Sequence, residues 1–70
     1  MSEFSLSGRP FVALCDLLKL RELCDSGGAA KTVIGHGKVR VNGAVELRKR
    51  CKILPGQTVE FGGKTISVVK

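Results

Sequence analysis

The chain has 70 residues, 43% of them hydrophobic, and carries a formal net charge of +6 at pH 7. This length allows one small domain, residues 1–70, and excludes a second, while the ordinary apolar fraction argues against a disordered chain. The sequence has no apolar run long enough to span a membrane, no signal peptide and no lipidation motif.

The first 20 residues predict a short strand and a helix. Residues 3–6 alternate polar with apolar side chains, which predicts an edge strand. Pro10 suits the first turn of a helix, where a missing N–H costs nothing. Helical spacing of apolar residues then predicts a first helix over Phe11–Leu20. Its buried face would contain Phe11, Leu14, Cys15, Leu17 and Leu18.

A second helix is predicted to follow a capping residue, either Asp25 or Ser26, and to run to about Gly35. Glycine readily takes the left-handed conformation that ends a helix, and two glycines flank His36 at this point. The inner face of this helix would contain Ala30, Val33 and Ile34.

A β-hairpin is predicted after the second helix. Lys38-Val39-Arg40-Val41 alternates basic with apolar side chains, and Asn42-Gly43 is a strong turn signal. A two-residue loop would set Val39 opposite Glu46, whereas a three-residue loop would keep the apolar side chains on one face. The longer loop, Asn42 to Ala44, or an equivalent bulge is therefore predicted, with Val41 opposite Val45.

The last third of the chain predicts two more strands. Leu54–Gln57 has the proline and glycine of a type II turn, and Gly62-Gly63 predicts a tight turn between strands 58–61 and 64–69. Helices followed by antiparallel strands indicate an α+β fold, with two N-terminal helices packed on a small antiparallel sheet of hairpins.

The positive charge is concentrated in residues 26–52. This stretch has seven basic residues and one acid, Glu46, and therefore accounts for the whole net charge. A single run of charges is often only a solvated face, but seven cations on one helix and one hairpin favour a polyanion-binding surface. The seven are Lys31, Lys38, Arg40, Arg48, Lys49, Arg50 and Lys52.

Signals for catalysis or cofactor binding are weak. His36 lies between two glycines without an evident acid or base partner, and the six carboxylates are scattered. The three cysteines fit neither a zinc site nor a disulfide framework. We therefore expect no enzymatic activity, no cofactor and no metal site, and reduced thiols in a cytoplasmic protein.

The residues also resemble a known family. The residues that carry the resemblance are Ser26, Ala30, Val33-Ile34 and Gly37, followed by Val39-x-Val41-Asn42-Gly43 and Pro55-Gly56. Through them, the chain resembles the RNA-binding domain named after ribosomal small-subunit protein four, which is also called the alpha-L RNA-binding motif. The resemblance covers residues 14–61, and the Cys15–Leu20 and Arg48–Ile53 stretches are similar to the small stand-alone bacterial proteins of the YbcJ family. It implies that the second helix and the hairpin face structured RNA, such as ribosomal or transfer RNA, or a ribonucleoprotein.

The sequence departs from the family at the start of the second helix. Family members often have an arginine directly after the capping serine, whereas Gly27 and Gly28 follow Ser26 here. These glycines either expose backbone N–H groups to a phosphate or form a fraying turn. All three phenylalanines are assigned to the core, which predicts contact with RNA backbone and shape rather than stacking on bases. The competing interpretation is a protein-interaction module that docks an acidic partner.

Overall fold

The computed structural model describes residues 2–70, which form two helices and seven strands. The α+β fold class is confirmed. In chain order the elements are β1 (Ser2–Ser5), β2 (Val12–Ala13), α1 (Leu14–Leu20), α2 (Gly27–Gly35), β3 (Arg40–Val41), β4 (Ala44–Val45), β5 (Lys52–Ile53), β6 (Thr58–Phe61) and β7 (Lys64–Val69).

Five of the strands form one sheet, in the order β1-β7-β6-β3-β4. The predicted edge strand is confirmed, since β1 lies at one edge, where Ser2 is opposite Ile66 and Ser5 is opposite Val69. This pair is parallel, whereas the other neighbours are antiparallel, so the sheet is mixed and not wholly antiparallel as predicted; no hairpin links β1 to β7, so nothing requires them to run in opposite directions. Strands β2 and β5 form a separate antiparallel pair.

A single apolar core joins the helices to the sheet. The two helices pack against each other, and their inner faces contact side chains from the sheet strands. Its fully or almost fully buried members are Leu6, Val12, Leu14, Cys15, Leu17, Leu18, Ala30, Ile34, Val39, Ile53, Val59, Ile66 and Val68.

The predicted start of α1 was wrong by three residues. The helix begins at Leu14 rather than Phe11, because Val12 and Ala13 pair with Ile53 and Lys52. Phe11, predicted to be buried, is 37% exposed. The remaining members of the predicted stripe are buried as expected. Tertiary strand pairing therefore overrides the helical spacing at this end of the helix.

The prediction for α2 is confirmed. Ser26 is the N-cap, and its Oγ accepts a hydrogen bond from the Ala29 amide at 3.1 Å. Ala30 and Ile34 are buried, and Val33 is half-buried against the same core. The helix ends with Gly37 in the left-handed conformation, at φ +74°.

The predicted register of the β3–β4 hairpin was wrong. Arg40 lies opposite Val45 and Val41 opposite Ala44, so the loop contains only two residues. Asn42 and Gly43 have φ values of 52° and 83°, as a type I′ turn requires. The Asn42 amide donates to the Thr58 carbonyl (2.8 Å), and the Thr58 amide donates to Asn42 Oδ1 (2.9 Å), so these two hydrogen bonds fix the turn. Because Ala44 and Val45 lie exposed at the sheet edge, no apolar face had to be preserved.

The C-terminal elements match their prediction. The Gln57 amide bonds to the Leu54 carbonyl at 3.2 Å and Gly56 has φ +91°, as expected for a type II turn. Gly62-Gly63 connects β6 to β7, and the second strand buries Ile66 and Val68 on one face.

Candidate functional site

All seven cations predicted to form the site are exposed. Four of them lie in or beside the turn that leads into β5, residues 48–52, called here the basic segment. This segment is fixed to the start of α1, because the Leu14 amide donates to the Cys51 carbonyl (2.9 Å) and the Cys15 amide donates to the Lys49 carbonyl (3.1 Å). The first amides of a helix lack intrahelical acceptors, so the basic segment provides the cap of α1.

The chain between β4 and the basic segment runs back alongside the end of α2. The Glu46 amide donates to the Val39 carbonyl at 3.0 Å. Lys49 Cε lies 3.3 Å from the position that a Cβ atom would occupy at Gly35. Lys31 is one turn before Gly35 on the helix, so Lys31 and Lys49 border the same face of α2.

Arg48 is bound by the one acid of the basic stretch. Its Nε atom lies 3.0 Å from Glu46 Oε2, its Nη2 atom lies 3.0 Å from Oε1, and its backbone amide donates to Oε2 at 2.9 Å. The hydrogen bond from the Arg48 side chain is the main reason that the pKa of Glu46 is lowered to about 2. The Arg48 side chain is nevertheless 77% exposed and stays accessible.

Lys38 and Arg40 lie in a different hollow from the basic segment. They line it together with Glu60, Phe61 and the Gly62-Gly63 turn. Arg40 is directly opposite Glu60 in the sheet, and opposite charges at such positions attract. The structure therefore brings an acid from outside residues 26–52 beside one predicted site residue.

A groove beside α1 adds residues that the sequence analysis missed. Arg9, Phe11, Asp16 and Leu20 line it together with Arg50 and Lys52 of the basic segment. Lys52 Nζ lies 5.0 Å from the centre of the Phe11 ring, within cation–π range. The predicted helix, starting at Phe11, would have buried that ring. Because this predicted boundary was wrong, the sequence did not indicate the groove.

The start of α2 has the geometry expected for exposed amides. Gly27 and Gly28 occupy its first two positions, whose N–H groups have no intrahelical acceptor. Ser26 Oγ accepts from the third amide, that of Ala29, and not from these two. A Cβ atom built on Gly27 would meet nothing within 4 Å, so a side chain could be placed here without a clash.

The half-buried thiols of Cys24 and Cys51 lack the features of an activated nucleophile. Burial raises the pKa of Cys51 and of Cys24, with nearby Glu46 and Asp25 adding to the effect, so both thiols stay protonated at neutral pH. His36 is exposed at the end of α2. Among residues 2–70, no group of three potential ligands is placed to hold a metal ion, and neither helix could cross a bilayer.

Fold and surface together define a small basic α+β domain. The chain matches the S4 domain over residues 4–69, and it belongs to this family. It is 56% identical over 69 residues to the Escherichia coli (strain K12) protein named "Putative RNA-binding protein YbcJ" and to the Shigella flexneri "Uncharacterized protein YbcJ". Each alignment covers 99% of both chains.

A solved structure supports the same relationship. The solution structure of Escherichia coli YbcJ superposes on this chain with a TM-score of 0.76, covering 100% of this chain and 89% of the other. That structure is described as revealing an alpha-L motif involved in RNA binding. The family resemblance predicted from the sequence is confirmed.

Proposed function

We propose that this protein binds structured RNA, of the ribosomal or transfer RNA kind, without catalysing a reaction. Its closely similar relative carries an RNA-binding name, and its family is the S4 domain. The proposed contacts are made by Lys31, Lys38, Arg40, the basic segment and the start of α2. As part of the same proposal, the protein acts in the cytoplasm, and its target is ribosomal RNA or a ribonucleoprotein.

The observation that carries the proposal is the exposure of all seven cations of residues 26–52. Within the described part of the chain, Arg48 is the only one of the seven in an ion pair. Cations that are not bound to the protein's own acids can replace the counterions of a phosphate backbone. A folded RNA presents phosphates at several positions, which suits cations distributed over α2, β3 and the basic segment.

Salt dependence tests this mechanism. If five of the cations contact phosphates, the logarithm of the association constant falls with that of salt concentration with a slope of about −4. Fluorescence anisotropy with labelled transfer RNA and a ribosomal RNA hairpin would measure this slope. An affinity that does not change with salt would contradict the proposal. Polyglutamate can be tested as a competitor of the labelled RNA. If it displaces that RNA as effectively as unlabelled RNA of equal charge does, the result would favour a protein-interaction module that docks an acidic partner.

The start of α2 offers a second test, which removes one backbone donor. Proline is tolerated at the first position of a helix, and Ser26 before it is already extended, with ψ 168°. Gly27→Pro is therefore expected to keep α2 while it removes the amide proposed to contact a phosphate. We expect RNA affinity to fall about tenfold, since hydrogen bonds to charged groups contribute about 1.5–3 kcal/mol.

Gly27→Ala is the matched control, because it keeps the amide and its Cβ atom meets nothing within 4 Å. Both variants should give the circular dichroism spectrum of the wild type. Equal RNA affinities for the two variants would show that the Gly27 amide makes no contact.

A further inference from the structure

The groove beside α1 combines apolar and cationic side chains, and residues outside the predicted site form much of it. Phe11 is 37% exposed and Leu20 is 54% exposed, and together they provide an apolar surface. Arg9, Arg50 and Lys52 also line the groove. The groove has a volume of about 500 Å³, and small-molecule sites typically measure about 300–1,000 Å³.

Backbone contacts fix the two sides of the groove relative to each other. Ala13 pairs with Lys52, and the Leu14 amide donates to the Cys51 carbonyl at 2.9 Å. Arg9 Nε donates to the Leu6 carbonyl at 3.2 Å, which holds this guanidinium near the end of β1. The backbone that carries Phe11 and Lys52 is therefore fixed in the free protein, which lowers the entropic cost of binding.

We propose that this groove holds one unpaired nucleotide of the bound RNA, with its base stacked on Phe11 and its phosphates contacted by Arg50, Lys52 and Arg9. This proposal rests on the proposed function and adds a single-nucleotide subsite to it. Exposed aromatic rings beside cations are the usual means by which proteins hold unpaired bases. Base-paired nucleotides cannot stack in this way, because their faces are covered within the helix.

Asp16, the acidic residue of the groove, is also compatible with a bound nucleotide. Asp16 lines the groove from α1 and would repel a phosphate. Its carboxylate can instead accept a hydrogen bond from the exocyclic amino group of a base. The arrangement therefore directs the base toward α1 and leaves the phosphates to the cations of the basic segment.

A pair of RNA hairpins tests this subsite: one fully paired, the other identical except for a single bulged 2-aminopurine. Wild-type protein is expected to bind the bulged hairpin roughly tenfold more tightly, in line with the effect of one base–aromatic stack. Transfer of the 2-aminopurine from its neighbouring bases onto Phe11 should also raise its fluorescence, because stacked bases quench it and a phenyl ring does not. Phe11→Ala should abolish both the preference and the rise in fluorescence.

Three further variants separate stacking from other effects. Phe11→Leu keeps an apolar side chain and should still lose the preference, whereas Phe11→Trp should retain it. Leu47→Ala removes an equally apolar side chain, 59% exposed and outside the groove, and should retain the preference. Because Phe11 lies outside the buried core, these variants are expected to fold.

The outcomes distinguish this subsite from the general proposal. Wild-type protein that binds both hairpins equally, with no effect of Phe11→Ala, would overturn the subsite and leave RNA binding intact. Wild-type protein that binds neither hairpin would contradict the proposed function itself.

Discussion

Replacing Lys49 and Arg50 by glutamine is expected to weaken RNA binding on the order of a hundredfold, since each charged hydrogen bond contributes about 1.5–3 kcal/mol. Both side chains are exposed in the basic segment, one beside α2 and the other in the groove beside α1. The slope of affinity against salt concentration should become less steep by about two, one for each lost phosphate contact. Anisotropy titrations at several salt concentrations measure both effects.

Lys64→Gln with Lys70→Gln is the matched control. It removes the same charge from exposed positions on β7 and just after it, outside residues 26–52. An equal loss of affinity in this control would mean that net charge, and not the basic segment, determines binding. Arg48 is less suitable for the experiment, because its replacement would also release the Glu46 carboxylate that it binds.

The second large effect concerns stability. Ile34→Ala is expected to lower the free energy of unfolding by about 2–5 kcal/mol, because this fully buried side chain leaves a cavity between α2 and the core. A protein typically has only about 0.05–0.15 kcal/mol of stability per residue, so this loss is a large share of the total for a 70-residue chain. Urea denaturation followed by circular dichroism measures the change.

Leu47→Ala provides the comparison for this experiment. Its side chain is 59% exposed, and surface substitutions usually change stability by no more than about 0.5 kcal/mol. If Ile34→Ala were as stable as Leu47→Ala, the packing of α2 on the core would be contradicted. RNA binding by the folded fraction of Ile34→Ala should stay intact, since Ile34 contributes no exposed surface.

The parts of the fold that depend on neighbouring residues could be predicted from the sequence. Ser26 accepts from the amide three residues ahead, and this local bond begins α2 where the pattern indicated. The turns at Pro55-Gly56 and Gly62-Gly63 are equally local, because glycine alone takes their positive φ values at little cost. The exposure of Lys31, Lys38 and Arg40 also agrees with helix and strand spacing, whereas Lys49 and Arg50 lie in a turn to which no spacing applies.

The parts that depend on distant residues could not be predicted. Val12 and Ala13 have apolar neighbours at helical spacing, but Ile53 and Lys52 pair with them as a strand. No residue near Phe11 in the sequence indicates that strand pairing. Neither the start of α1 nor the groove beside it could therefore be predicted. The hairpin register failed for a related reason: the Thr58 backbone, 16 residues from Asn42, fixes the turn.

The surroundings of the predicted site residues could be inferred from the sequence only in part. Period-two alternation predicted exposed side chains at Arg40 in β3 and at Lys38 just before it, but it did not indicate Glu60, which β6 brings opposite Arg40. The contact of Lys49 with α2 likewise depends on the return of the chain after β4. The tertiary fold, and not the local sequence pattern, therefore determines which acids and helices lie beside each cation.

The parallel pairing of β1 with β7 has a consequence for biosynthesis. Ser2 and Ile66 are joined across almost the whole chain, and contacts so distant in sequence form late, because loop closure costs entropy. β1 can therefore pair only after β7 has been synthesised, so this edge of the sheet is completed last.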